Sequence, residues 1–168
     1  MDIRKQLTRI AAVAALGLMA AGSASANYLT HQAAAGNHVF SGAAQVPLLG
    51  MTSVAFANAV NQPFVVIFSA ECAVAAPAGN MSAWTDIDIV VLNAAGAVVQ
   101  TLAPTAGNAD AFCSSNGSVG LDGWSMNSVT AVGGIGLAAG VYRVQVRGRL
   151  NNGATSASYG DRSLVIMR

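Results

Sequence analysis

Three acidic side chains are the residues of this sequence that could perform acid–base chemistry. Asp86 and Asp88 lie two positions apart in an apolar segment, and Glu71 precedes Cys72 in another. Alternate residues of a strand project from one face, so the two aspartates would share a face. Paired carboxylates hydrolyse glycosides, or contribute to calcium sites of roughly six to eight oxygens. A hydrolase that uses Glu71, Asp86 and Asp88 is therefore one hypothesis, and structural ion pairing is the interpretation that we favour.

Other candidates for catalysis or metal binding are few. The two histidines, His31 and His38, have no cysteine or acidic residue near them in the sequence, which is a poor pattern for zinc. The G-x-S-x-G motif of hydrolases with a serine nucleophile does not occur. The sequence predicts a protein that is not an enzyme and that uses no metal or cofactor.

The chain contains two cysteines, Cys72 and Cys113. In an oxidising compartment such a pair is usually a structural disulfide, which over a loop of about 40 residues stabilises a fold by roughly 4 kcal/mol. A metal site or a redox pair is the alternative, but each needs further ligands or a C-x-x-C spacing. Cys72 shares a strand face with Phe64 and Phe68, so we expect a buried disulfide.

Arg143, Arg147 and Arg149 alternate with apolar residues. A period of two places the arginines on one strand face and the apolar side chains on the other. Guanidinium groups bind carboxylates and phosphates, so this stripe is a candidate binding surface. The interpretation that we favour is a solvated sheet face on which Asp86 and Asp88 pair with the arginines across strands.

Two tryptophans and one glutamate complete the candidate site residues. Trp84 and Trp124 each flank a predicted strand at a loop, where an exposed indole could stack on a sugar or enter a partner's pocket. Packing in the core or at its rim is the alternative for both. Glu71, if buried, must be paired or neutral, and an arginine such as Arg147 is a candidate partner in a structural ion pair.

The N-terminus predicts export. Arg4, Lys5 and Arg9 precede an apolar run of about twelve residues, and Ala24-Ser25-Ala26 matches the pattern of a signal-peptide cleavage site. The run is too short to cross a bilayer as a helix. We expect residues 1–26 to be removed, no membrane span to remain, and the protein to be periplasmic or extracellular.

The charge of the chain narrows the class of partner. It has 8 Lys+Arg and 7 Asp+Glu, and without residues 1–26 there are 5 basic and 6 acidic residues, all the basic ones being arginine. Nucleic-acid binding depends on many phosphate contacts, so a nearly neutral chain is a poor candidate for it. We expect an unidentified protein or glycan partner, or a homo-oligomer.

Short apolar runs separated by Gly, Asn, Pro and Ser predict an all-β fold, an antiparallel two-sheet sandwich that is jelly-roll-like with about eight strands. The clearest runs are 52–60, 64–72, 86–92, 97–102, 124–132, 141–150 and 163–167. We expect residues 45–168 to form this domain. Residues 27–44 are expected to be an N-terminal arm or an edge strand.

Three of these segments carry more specific expectations. Val54, Phe56 and Val60 would share the buried face of one strand. The segment 64–72 is apolar on both faces over its first half and should lie inside a sheet. The segment 93–96 (Asn-Ala-Ala-Gly) predicts a tight hairpin connection.

Four motifs resemble those of a group of exported bacterial domains. They are Phe68-Ser-Ala-Glu-Cys72, Ala111-Phe-Cys113, Leu137-Ala-Ala-Gly140-Val-Tyr-Arg-Val and Asp161-Arg-Ser163-Leu-Val165. The group consists of uncharacterised β-sandwich domains with F-S-A-E-C, A-F-C and L-x-A-G motifs, and the resemblance spans about residues 45–167. It implies the pairing of Cys72 with Cys113 and carries over no activity.

A weaker resemblance is to the C1q/TNF-like jelly roll. It rests on the strand, N-x-x-G, strand unit, on the L-x-A-G turn and on the short final strand. Members of that family trimerise and bind other macromolecules, so the resemblance implies a homotrimer.

Together these observations predict an exported, non-enzymatic β-sandwich module for binding or assembly. The first alternative is the carboxylate hydrolase. The second is a pilus or coat subunit, which requires an open sheet edge that accepts a donor strand.

Overall fold

The structure is a computed structural model that describes residues 27–106 and 110–168, so the predicted signal peptide, residues 1–26, lies outside the described residues. The described chain forms eleven strands. They are β1 (Tyr28–Ala34), β2 (His38–Ser41), β3 (Val46–Thr52), β4 (Phe56–Asn58), β5 (Phe64–Ala75), β6 (Trp84–Asn93), β7 (Val98–Thr101), β8 (Ala111–Ser114), β9 (Ser125–Gly133), β10 (Gly140–Asn151) and β11 (Ser156–Met167). Among these residues, no long apolar helix that could cross a membrane is found.

The strands form two antiparallel sheets, which confirms the predicted sandwich. The first, here called the β5 sheet, has the order β1-β11-β5-β9, with β2 also pairing with β11. The second, the β10 sheet, has the order β3-β10-β6-β7, with β4 pairing with β10 and β8 with β6. The strand count exceeds the expected eight because β2, β4 and β8 are only four, three and four residues long and carry little sequence pattern.

The core lies between the two sheets and follows the period-two pattern of the long strands. Phe64 and Phe68 of β5 point inward, and β5 lies inside its sheet, as predicted. Tyr159 of β11 is fully buried, and its ring stacks near those of Phe40 and Phe112. Large aromatic side chains thus fill the space between two sheets that are otherwise lined by Val, Ile, Leu and Ala.

Two contacts between the sheets, a disulfide and a hydrogen bond between side chains, lie next to each other and are here called the cross-sheet ties. Cys72 of β5 and Cys113 of β8 form the predicted disulfide, with their Cα atoms 6.2 Å apart and both residues buried. Beside it, the Tyr159 hydroxyl lies 3.1 Å from Oγ1 of Thr85 in β6. Tyr159 is the register partner of Cys72, and Thr85 is that of Cys113, so the two ties join neighbouring residues.

A β-bulge in β11 determines the direction in which the side chain of Arg162 points. Tyr159 pairs with Cys72 and Arg162 with Ala70, so Gly160 and Asp161 together oppose the single residue between those partners. The extra residue shifts the alternation, and Arg162 therefore faces inward with a relative exposure of only 5%.

The buried Arg162 is satisfied by backbone oxygens. Its Nη1 donates to the carbonyls of Gly36, Tyr159 and Gly160 at 2.7, 2.9 and 2.7 Å. Its Nε donates to the Leu49 carbonyl at 3.0 Å. One side chain therefore fastens the bulge, the turn after β1 and the edge strand β3 to one another.

Two sequence expectations were wrong at strand boundaries. Val54 and Val60 are 58% and 65% exposed, although Phe56 is buried as expected. The strand breaks before Val54 because Oγ of Ser53 accepts a hydrogen bond from the Val144 N–H at 2.9 Å in place of a regular ladder bond. Val60 is exposed because it lies in the turn after β4, which ends at Asn58. The final strand starts at Ser156 instead of residue 163, since its first half pairs with both β5 and β2.

The hairpin between β6 and β7 is as predicted. The Gly96 N–H donates to the Asn93 carbonyl at 2.9 Å, and Oδ1 of Asn93 accepts from the N–H groups of Ala95 and Ala97 at 3.0 Å each. Gly96 has a φ of 82°, which glycine adopts without a steric cost.

Replacing the buried Arg162 should destabilise the fold much more than replacing an exposed arginine. Arg162→Leu leaves buried carbonyl groups without a donor, so we expect the free energy of unfolding to fall by about 3 kcal/mol or more. Arg162→Lys, which cannot reach all the acceptors, should lie between Arg162→Leu and the wild type. Urea unfolding measures both, and Arg143→Leu at an exposed arginine is the control. Equal losses for Arg162→Leu and the control would contradict the assigned role.

Candidate functional site

Six of the candidate residues lie on the outer face of the β10 sheet. Cross-strand register places Arg149 opposite Asp86, and Arg147 opposite Asp88. The six, which we call the arginine face, are Arg143, Arg147 and Arg149 of β10 and Trp84, Asp86 and Asp88 of β6. The period of two in each strand brings them together, since every member lies an even number of positions from the others on its strand.

Arg149 forms a closed cluster with both aspartates. Its Nη2 lies 3.2 Å from Oδ2 of Asp86 and 3.5 Å from Oδ2 of Asp88. Nε2 of Gln45 also donates to Oδ2 of Asp88. The two carboxylates are only 1% and 8% exposed, so the expectation of a solvated face was wrong at this point. The long side chains of neighbouring strands cover the acids, as flexible amphipathic stems often do.

The covered position of Asp86 changes its acidity. Burial raises the pKa of Asp86 to about 6, and the hydrogen bond from Arg149 opposes this rise only in part. Its Oδ1 is buried and accepts no hydrogen bond from the described residues. A carboxyl group with such a pKa could serve as a general acid, but one that is 1% exposed cannot reach a substrate.

Arg143 and Arg147 differ from Arg149 in having no acidic partner among the described residues. Nε of Arg147 donates to Oε1 of Gln145 at 2.8 Å, which orients the guanidinium along the strand. In the described part of the chain neither side chain makes an ion pair, and Arg143 is exposed. The two are four positions apart on one face, about 13 Å along the strand. They form the cationic part of the arginine face.

Glu71 and Trp124 lie elsewhere. Glu71 is exposed on the outer face of the β5 sheet, so its predicted ion pair with Arg147 of the other sheet is wrong. A Cβ placed on Gly160 would lie 3.2 Å from both the Glu71 carboxylate and the Trp124 ring, so these two side chains meet above the bulge. Trp124 precedes β9 of the β5 sheet, whereas Trp84 begins β6 of the β10 sheet, so the two tryptophans and the arginines do not share one surface.

The three candidate acids cannot act together. Asp86 and Asp88 are held by Arg149 on one sheet, and Glu71 projects from the opposite side of the sandwich. Within residues 27–106 and 110–168, no group of three His, Cys, Asp or Glu side chains is placed to hold a metal ion.

One concave feature was missed by the sequence reasoning. A cavity of about 190 Å³ lies between the edge strand β9 and the segment that enters β8. Its walls include Phe112 and Thr105 on one side and Asn127 and Val129 on the other. The sequence carries no signal for it, because it depends on how the two sheets meet at their edges. The role of Arg162 was missed too, and a glycine two residues earlier was the available hint of a bulge.

Comparison with known proteins reveals a shared fold. No family model and no curated protein is similar to this chain. VP2 of infectious bursal disease virus, from a subviral particle, matches with a TM-score of 0.50 and 13% identity over 86% of this chain. The match spans only 33% of the viral chain, and a structure of the Gt strain of the virus gives the same values.

A more distant match is a family 35 carbohydrate-binding module from Clostridium thermocellum, with a TM-score of 0.29 and 13% identity over 84% of this chain and 98% of the module. At these identities the viral likeness shows the fold alone. This chain corresponds to about a third of the viral protein that it resembles.

The raised pKa of Asp86 predicts a pH-dependent stability. The folded protein binds the proton more tightly than the unfolded chain, whose carboxyl has a pKa near 3.8, so stability should rise as the pH falls through 6. Between pH 7 and 5 we expect about 1 kcal/mol from this group. Asp86→Asn should remove that part of the slope in urea unfolding, with Asp122→Asn as the exposed control. An unchanged slope in Asp86→Asn would contradict the assignment.

Proposed function

We propose that this protein is an exported, non-enzymatic β-sandwich module that binds a polymer bearing carboxylate or phosphate groups through the arginine face. The observation that carries the proposal is the pair Arg143 and Arg147, two guanidinium groups on one strand face without a carboxylate partner among the described residues. Guanidinium forks match such anions in both charge and geometry.

The charges around this pair support an anionic ligand. Arg149 is already engaged with Asp86 and Asp88, so the cluster leaves Arg143 and Arg147 unopposed. Their spacing of about 13 Å suits an extended polymer with repeated charges better than a small anion. The half-buried Gln145 lies on the same face, and its amide, held by Oγ1 of Thr52 at 3.1 Å, orients Arg147.

The remaining features favour binding over catalysis in an exported setting. The acids of the β10 sheet are covered, and the described residues contain no group of three His, Cys, Asp or Glu side chains placed to hold a metal ion. A disulfide joins the two sheets, and disulfides form and persist in oxidising compartments. An anionic polymer of the cell envelope or its surroundings is accordingly the ligand class that we propose.

Binding of a defined polyanion tests this function. Calorimetric titration of the purified protein with polygalacturonate, which carries carboxylates, and with polyphosphate should show binding to one or both, while neutral dextran should not bind. Removing both arginines, in Arg143→Ala/Arg147→Ala, should weaken binding by roughly tenfold or more for each arginine.

Two further variants separate charge from geometry. Arg143→Lys/Arg147→Lys keeps the charge without the fork and should recover binding in part. Arg168→Ala removes one cation from another part of the surface and should bind as the wild type does. Equal binding of the double alanine variant and the wild type, or binding of dextran, would rule the proposal out.

A further inference from the structure

Strand β9 is an open sheet edge. Its nine residues pair with β5 in continuous register, without a bulge, from Ser125 opposite Cys72 to Gly133 opposite Phe64. Apart from this ladder, no hydrogen bond joins the β9 backbone to the described residues. The outer row of its N–H and C=O groups is therefore available to another strand.

The other sheet edges carry the usual protections. β1 has a register shift near Tyr28, and β3 contains Pro47 and a register shift opposite β10. β7 and β8 are four residues each. Bulges, prolines and short strands all discourage edge pairing. β9 has none of these, and residues 124–135 contain no charged side chain either.

The sequence of β9 is complementary to itself. In an antiparallel pairing centred on Val129, Met126 would face Val132 of a second copy, and Ser128 would face Thr130. All four of these side chains project from the outer face of the β5 sheet. The pairing thus matches apolar with apolar and hydroxyl with hydroxyl on both sides of the two-fold axis, with no like-charge contact.

Exposed apolar groups border the same seam. Met126 and Val132 are 64% and 49% exposed, and just outside the strand Trp124 and Ile135 are 41% and 65% exposed. On the inner side, the cavity of about 190 Å³ lies beside Asn127 and Val129. Inward-facing side chains of a pairing strand would lie over this cavity.

From these features we infer that β9 pairs antiparallel with β9 of a second copy of this chain, joining the two β5 sheets into one continuous sheet. The pairing forms roughly one main-chain hydrogen bond per residue along the strand. It uses the opposite sheet from the arginine face, so this inference goes beyond the proposed function and does not depend on it.

A charge-exchange experiment on the purified protein tests the pairing. Positions 126 and 132 are about 20 Å apart within one chain but face each other across the two-fold axis. Met126→Lys/Val132→Lys should therefore dissociate the dimer, because each lysine opposes another. Met126→Lys/Val132→Asp should retain it, because each lysine opposes an aspartate.

Light scattering coupled to chromatography, over a series of protein concentrations, should give twice the chain mass for the wild type and for the lysine–aspartate variant. The double lysine variant should give the mass of one chain. Circular dichroism establishes that both variants are folded. The two variants are a matched pair, because they differ only at position 132. Amide hydrogen exchange in residues 125–133 should slow as the wild type associates.

A wild type that stays monomeric at millimolar concentration would overturn the inference, as would a trimer or equal association of the two double variants. These outcomes are distinct from a failure of the proposed function, because polyanion binding by Arg143 and Arg147 is measured separately.

Discussion

The sandwich depends on a pair of adjacent ties between its two sheets. The disulfide from Cys72 to Cys113 and the contact between the Tyr159 hydroxyl and Thr85 join strands that are distant in sequence and next to each other in space. Oγ1 of Thr85 also donates to the Arg149 carbonyl, which extends the tie into β10. The outer face of β10 is thereby fixed relative to the core, and the arginines project from a rigid sheet rather than a loop.

Most of the architecture could be predicted from period-two patterns and turn residues. The core face of β5, the hairpin at residues 93–96 and the disulfide all follow from local spacing or from the two cysteines. The break at Ser53 could not be predicted, because it depends on a hydroxyl that replaces a ladder bond to Val144. A side-chain contact between residues 91 positions apart leaves no trace in local sequence.

The candidate site could be predicted only in part from the period-two patterns. Alternation correctly placed Asp86 and Arg149 on one face, but their burial depends on cover from other strands, including Gln45. Glu71 and Trp124 were assigned from their types alone, and only the division of strands between two sheets separates them from the arginines. Sequence patterns determine which side of a strand a residue faces, whereas the sheet to which that strand belongs is a property of the whole fold.

The bulge at Gly160 and Asp161 also governs how the end of β11 can vary in length. Alternation beyond the bulge places Leu164 and Ile166 in the core, together with the buried Arg162. Ser163, which follows Arg162, faces outward and is partly exposed. Loss of Asp161 would restore a regular ladder and keep Leu164 and Ile166 in the core, because their partners in β5 would stay the same. An insertion or deletion of one residue after Arg162 would instead turn Leu164 and Ile166 toward solvent. The length of β11 is therefore constrained after the bulge, whereas the bulge is a position at which the strand could lose a residue and keep its core side chains.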